Sequence, residues 1–168
     1  MSSNPVLPAR PGARPHTTTV PPHRQLDQWP PQTITEALLV RCLALPGVVE
    51  RPTSLAVAGT RALWLPPALT DGPEEATLTD GEFAHVHPPP ESALHLTLPV
   101  AILHEACAKG WAEPHPMVRA GILPPTIVLV YAPRDPAEAE TVFTLVETSY
   151  WFARGQRLAP QSRTHDTN

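Results

Sequence analysis

Residues 82–98 read "EFAHVHPPPESALHLTL", two alternating apolar runs on either side of three consecutive prolines. A period of two sends successive side chains to opposite faces of a strand. "EFAHVH" and "ALHLTL" therefore read as strands, and the prolines force a turn between them. His85 and His87 are two apart, so both leave the same face, roughly 6–7 Å from each other. If the hairpin is centred on Pro90, His85 stands opposite His95 and the three imidazoles share that face. A slip of one residue sends His95 to the other side. The sequence leaves both registers open.

Outward from the hairpin, "SLAVAG" (54–59) and "TRALWLP" (60–66) read as two short strands around Gly59. "TIVLVYAPR" (126–134) is continuously apolar and β-branched, as a central strand is. Three segments have helical spacing. "TITEALLVRCLAL" (33–45) places Ile34, Leu38, Val40, Leu43 and Leu45 on one side. "PVAILHEACAKG" (99–110) starts at Pro99 and stops at Gly110. "DPAEAETVFTLVETSYWFARG" (135–155) opens with Asp135, Pro136 and Glu138 as a capping box, and Ala139, Val142, Val146, Ser149 and Tyr150 line one face. "WAEPHPMVRAGILPP" (111–125) has no period and reads as a long ordered loop. Short links between successive strands favour an antiparallel meander. The expectation is an α+β fold, an antiparallel or mixed sheet of about five strands with helices packed against it.

The chain has 168 residues, 42% of them hydrophobic, enough for one domain with a real core. Its net charge of −4 gives no basic stripe for nucleic acid. No apolar run reaches the roughly 18 residues of a membrane span, and the start shows no signal-peptide pattern. Cys42 and Cys107 lie far apart in apolar patterns and read as reduced thiols. A cytoplasmic protein is the expectation. Residues 1–32 hold eight prolines beside Arg10, Arg14 and Arg24, with almost no apolar residues. They read as a disordered or extended arm, residues 33–155 as the folded domain, and residues 156–168 as a disordered tail.

The histidine hairpin supports three readings. The first is a metal site. "HVHPPPE" has the His-x-His-x3-Glu spacing of half a cupin motif, which gives His85, His87, Glu91 and His95 as ligands. The second cupin half is missing. The second reading is acid–base chemistry by clustered, half-buried imidazoles. The third is purely structural. Three histidines within eleven residues, with His115 in "PHP", tilt the balance toward function. The incomplete ligand set tilts it toward chemistry without a metal. Trp111 and Glu113 in "GWAEPHP" suit a pocket wall, or simple packing of the tryptophan on the sheet. Arg134, beside the N-terminus of the last helix, suits an anionic ligand or a surface ion pair. Trp64 in "TRALWL" completes the candidate substrate contacts.

Taken in order, "TRALWL", "GEFAHVHP", "ALHLTLP", "GWAEPHP", "VYAPRD" and "SYWFARG" resemble the fungal luciferase family and its bacterial luciferase-domain relatives. The resemblance spans about residues 50 to 155. It implies addition of dioxygen to an electron-rich pyrone such as 3-hydroxyhispidin, with neither flavin nor metal as cofactor. It places His85, His87, His95 and His115, with Trp111, on the family's motif positions, and the four histidines are the candidate catalytic set. The expected partners are a small enolic, pyrone or phenolic compound and dioxygen, with no nucleic acid and no membrane. A metal-dependent enzyme and a non-catalytic ligand-binding or interaction domain are the alternatives. The chain departs from the family in its proline-rich arm, where the fungal enzymes carry an apolar segment, and in its stiff "PPPES" turn.

Overall fold

The computed structural model describes residues 5–156. In chain order the elements are α1 (Gln32–Leu43), β1 (Val49–Arg51), β2 (Arg61–Trp64), β3 (Glu82–Val86), β4 (Leu94–Thr97), α2 (Val100–Ala108), β5 (Ala112–Pro114), α3 (Pro116–Arg119), β6 (Ile127–Val130) and α4 (Pro136–Ala153). The six strands form one antiparallel sheet in the order β1-β2-β3-β4-β6-β5. The fold is α+β, as the patterning predicts. Among the described residues, no helix is long and apolar enough to cross a membrane.

Two segments differ from the expectation. "SLAVAG" is a loop: β1 lies earlier, at Val49–Arg51, and pairs with β2 across a longer connection. Leu55 in that loop is half exposed, so its apolar pattern does not serve the sheet. "WAEPHP" is not all loop. Ala112–Pro114 forms edge strand β5 against β6, where Pro114 needs no outward N–H. Elsewhere the local chemistry holds. Asp135 caps α4 by accepting the Glu138 N–H at 2.8 Å. Glu138 does not close the capping box onto Asp135. Its carboxylate accepts the Arg134 N–H instead and grips the Arg134 guanidinium.

The hairpin adopts the register centred on Pro90: His85 pairs with His95, Ala84 with Leu96 and Val86 with Leu94. Alternation then gives the sheet two unlike faces. On one, Leu63, Ala84, Val86, Leu94, Leu96, Val128 and Val130 meet Leu38, Leu39 and Cys42 of α1 and Val142, Leu145, Val146 and Tyr150 of α4. Val40 points outward instead. This is the apolar core, and burial of each large side chain there contributes about 1.5–3 kcal/mol. Cys42 sits inside it, its thiol pushed up to about 12 by burial. Both cysteines are free.

On the other face, His85, His95, Leu129 and Glu113 are successive cross-strand neighbours. Among the described residues, neither α1 nor α4 covers this row; both pack on the opposite face. The N-terminal arm covers it. Residues 5–31 form no helix or strand, yet Leu7, Arg10, His23 and Gln25 are buried. Arg10 N donates to Lys109 O, Trp111 Nε1 to Pro8 O, and Ala132 N to Gln25 Oε1. Thr17 bridges Gln25 to make a small loop whose tip carries Pro21 and Pro22. The expectation of a disordered arm is corrected. It failed because the arm is held mostly by polar groups matched one to one, not by an apolar stripe that composition reveals. Leu26 and Trp29, its most conspicuous apolar residues, are half exposed. The expected tail lies, from residue 157 onward, outside the described residues.

Removal of residues 1–31 is therefore expected to lower the melting temperature substantially. Leu7→Ala alone should cost about 2–5 kcal/mol, measured by denaturant unfolding. A truncated chain that melts at the full-length temperature would show that the arm only rests on the sheet.

Candidate functional site

The site grows from two backbone features. The first is the hairpin register, which sets His85, His87 and His95 on one face. The second is a bulge. Leu63 pairs with Ala84 but Trp64 with Glu82, so Phe83 is an extra residue on β3. Strict alternation would send Glu82 and His85, three apart, to opposite faces. The bulge turns Glu82 toward the histidines, and its Oε1 lies 2.6 Å from His85 Nδ1. Phe83 turns the other way, edge-on to Tyr150 in the core.

Each outer histidine is oriented by a carboxylate. Glu82 holds His85. Glu91, in the proline turn, holds His87 Nδ1 at 2.6 Å. Glu113 on β5 holds His23 Nε2 at 2.7 Å. The carboxylates are themselves supported. Glu91 accepts from Arg24 Nε and Gln25 N, and Glu113 from Thr17 Oγ1 and Tyr131 O–H. His95 lies at the centre. Its Nδ1 is 3.2 Å from His85 Nε2 and 3.1 Å from His87 Nε2, and its Nε2 is 3.3 Å from His23 Nδ1. His115 stands edge-on to His23 with ring centroids 5.2 Å apart, and its Nδ1 accepts the Met117 N–H. That bond places the proton of neutral His115 on Nε2.

These rings border a cavity of about 330 Å³. Its remaining walls include Leu55, Ala56, Val57, Leu78, Leu123 and Ile127, with Pro21 and Pro22 of the arm. Apolar walls with a few convergent polar groups are the usual make-up of a small-molecule pocket. Burial pushes three of the imidazoles toward the neutral form. It lowers His85 despite the opposing pull of Glu82, lowers His95 well below the ordinary histidine value, and takes His115 to about 4. Burial alone would raise Glu91 and Glu113. The hydrogen bonds from His87, Arg24 and Gln25 to the first, and from His23, Thr17 and Tyr131 to the second, outweigh it and hold both low.

The four histidines singled out from the sequence thus converge on one cavity. The proposed substrate contacts do not line it. Trp111 is buried beneath the arm within the apolar core. Arg134 is committed to Glu138 and to Pro11 O. Trp64 lies outside the lining, and Glu113 acts behind His23. Glu91 is hydrogen-bonded to His87 and Arg24, so the His-x-His-x3-Glu spacing does not deliver a carboxylate as a fourth ligand. Sequence reasoning missed His23, hidden in the arm, and Glu82, which alternation assigns to the wrong face. Two triads bring potential metal-ligand atoms within 4.8 Å of one another: His85, His87 and His95, and His23, His95 and His115.

A histidine kept neutral by the fold takes up its proton more readily in the unfolded chain, so acid favours unfolding. For His115 the window runs from the ordinary value of 6.5 down to about 4. Glu91 and Glu113, held low, add their loss only as pH falls through and below the ordinary 4.5. Chelator-treated protein is therefore expected to lose melting temperature between pH 7 and pH 5, above the carboxylate range. His115→Asn should flatten that slope, because asparagine keeps the cap on α3 and does not titrate. A melting temperature unchanged from pH 7 to 5 would contradict the burial of these rings as neutral groups.

Comparison with known proteins agrees with this picture. Residues 80–149 match the family model described as luciferase domain. The luciferase of Armillaria gallica is 33% identical over 165 residues, covering 88% of this chain and 61% of its own length. That of Neonothopanus nambi is 32% identical over 162 residues, covering 87% and 60%. The chain thus spans about three fifths of the curated relatives it matches. No solved structure matches. The chain is thus similar to the luciferase-domain family over residues 80–149 and to the fungal luciferases over most of its own length.

Proposed function

We propose that the protein has a luciferase-like function: it oxidises a small enolic, pyrone or phenolic compound with dioxygen in the histidine cavity. The observation that carries this reading is the group of imidazoles beside an apolar pocket, with His85, His87 and His23 each oriented by a carboxylate. His85 and His87 donate their Nδ1 protons to Glu82 and Glu91, which leaves each Nε2 as a base. A base there takes the substrate's enolic or phenolic proton, and the carboxylate behind it stabilises the imidazolium that forms. The substrate carbanion or enolate then forms a C–O bond to dioxygen. The substrate loses two electrons and oxygen is reduced to the peroxide level. The proton returns from the imidazolium to the distal oxygen, giving a hydroperoxide. His115, with its proton on Nε2, supplies an N–H for the anionic oxygen. The apolar walls favour the reaction by keeping water from the anion.

Oxygen uptake with a panel of pyrones and catechols tests the reading. A positioned base contributes about 10²–10⁴-fold, and a loss of that order is expected on removing His85 Nε2. His85→Asn is the variant to use. It retains an N–H for Glu82 and deletes the acceptor, whereas His85→Ala leaves a buried carboxylate without its partner. Panel compounds that bind without any oxygen uptake would instead support a ligand-binding domain that keeps the luciferase fold without its reaction.

A further inference from the structure

The proton count of the cluster does not close. With each ring neutral, His85 Nε2, His87 Nε2 and His23 Nδ1 are all lone-pair nitrogens, because the other nitrogen of each ring donates to a carboxylate. All three meet His95, two at its Nδ1 and one at its Nε2. Neutral His95 has one proton, and with it on either nitrogen at least one buried pair of lone pairs faces off. The charges do not close either. Glu82, Glu91 and Glu113 back the rings, and among their direct partners only Arg24 is a fixed cation, on Glu91. The second oxygen of Glu82 is buried without a hydrogen-bond partner. Three carboxylates, Glu82 and Glu91 buried and Glu113 partly exposed, thus leave an excess of two negative charges behind lone pairs that point at one another.

We infer that His85 Nε2, His87 Nε2 and His95 Nδ1 form a three-histidine centre for one divalent first-row transition-metal ion, open on its remaining side to the cavity. Three independent features fit. Metal–imidazole bonds of about 2.0–2.1 Å place ligand nitrogens about 2.8–3.4 Å apart, from right-angled to tetrahedral arrangements. The separations at His95 Nδ1, 3.2 and 3.1 Å, fall within that span. Ligating histidines characteristically donate their other N–H to a carboxylate, which sets tautomer and ring orientation, and Glu82 and Glu91 do this for His85 and His87. With an ion on Nδ1, His95 carries its proton on Nε2 and donates it to His23 Nδ1. His23 in turn donates to Glu113. Every proton then has an acceptor, and a charge of two balances the excess.

Three neutral imidazoles select zinc, iron, copper, cobalt or nickel over magnesium or calcium, which take oxygen ligands. The second triad, His23, His95 and His115, is the weaker candidate. Its His115 Nδ1 is engaged by Met117 N and its His23 is needed as the acceptor for His95. Glu91 belongs behind a ligand, not among the ligands. The inference uses the cavity of the proposed reaction but does not depend on that reaction being correct. A bound ion would favour the ionised enol in place of a free imidazole base.

The test uses the untagged full-length chain, stripped with a chelator and titrated with Zn²⁺ or Co²⁺. One equivalent per chain is expected to survive gel filtration in elemental analysis, Co²⁺ should develop visible absorption, and the melting temperature should rise. Glu82→Gln should weaken affinity about 10–100-fold, and a His85→Asn, His87→Asn double variant should lose the ion while its metal-free melting transition remains cooperative. His115→Ala should keep the full equivalent. Absence of stoichiometric metal in the stripped and reloaded chain would overturn the centre. So would retention of the ion in the double variant, or its loss in His115→Ala, which would place it in the other triad. Oxygen uptake is scored separately. Metal binding without turnover leaves the centre and removes the reaction. Turnover by chelator-stripped protein that binds no metal does the reverse.

Discussion

An imidazole nitrogen shut away from water must find a partner or cost the protein stability. This protein sets His23, His85, His87 and His95 together where almost no solvent reaches. Much else follows from that constraint. The bulge at Phe83 brings Glu82 to His85, the proline turn brings Glu91 to His87, and the pairing of β5 with β6 brings Glu113 to His23. A sheet that only had to hold two layers together would need none of these. The face turned toward α1 and α4 is made of aliphatic side chains and satisfies itself by packing.

The two faces are consequently covered in different ways. Helices suit an apolar face because they present a continuous stripe. A row of histidines and a glutamate needs a cover whose polar groups fall at individual points, and an irregular chain supplies that. The arm delivers His23, Arg24 and Gln25 in succession, one to the cluster, one to Glu91 and one across to Ala132 N. Its many prolines reduce the freedom that must be given up on ordering. Seen this way, the proline content supports an ordered strap as naturally as a disordered tail. What separates them is the presence of partners on the domain.

The family match and the site do not coincide. Residues 80–149 contain Glu82, His85, His87, Glu91, His95, Glu113 and His115, so the stretch similar to the luciferase-domain model holds nearly the whole cluster. His23 and the prolines at the mouth of the cavity come from outside it. The lining therefore mixes residues from the matched domain with a local cover and with the 55–57 loop.

Much of this was legible in the sequence. Period-two alternation in "EFAHVH" and "ALHLTL" determined two strands, and the prolines between them a hairpin. Capping chemistry and apolar spacing determined α4 and its buried face, and the density of histidines marked the place where the cluster and its cavity lie. These are local properties, set by the stereochemistry of a few adjacent residues, and they survive any tertiary context that lets the elements form. The register of the hairpin, the face of Glu82, the order of the arm and the entry of His23 were decided by the tertiary structure alone. Each depends on a partner far away in the chain: His95 on β6 as well as β3, Glu82 on a mismatch with Trp64, His23 on Glu113 ninety residues later. A residue's own neighbours carry no information about such partners, because the energy of a buried hydrogen bond depends on who arrives opposite it.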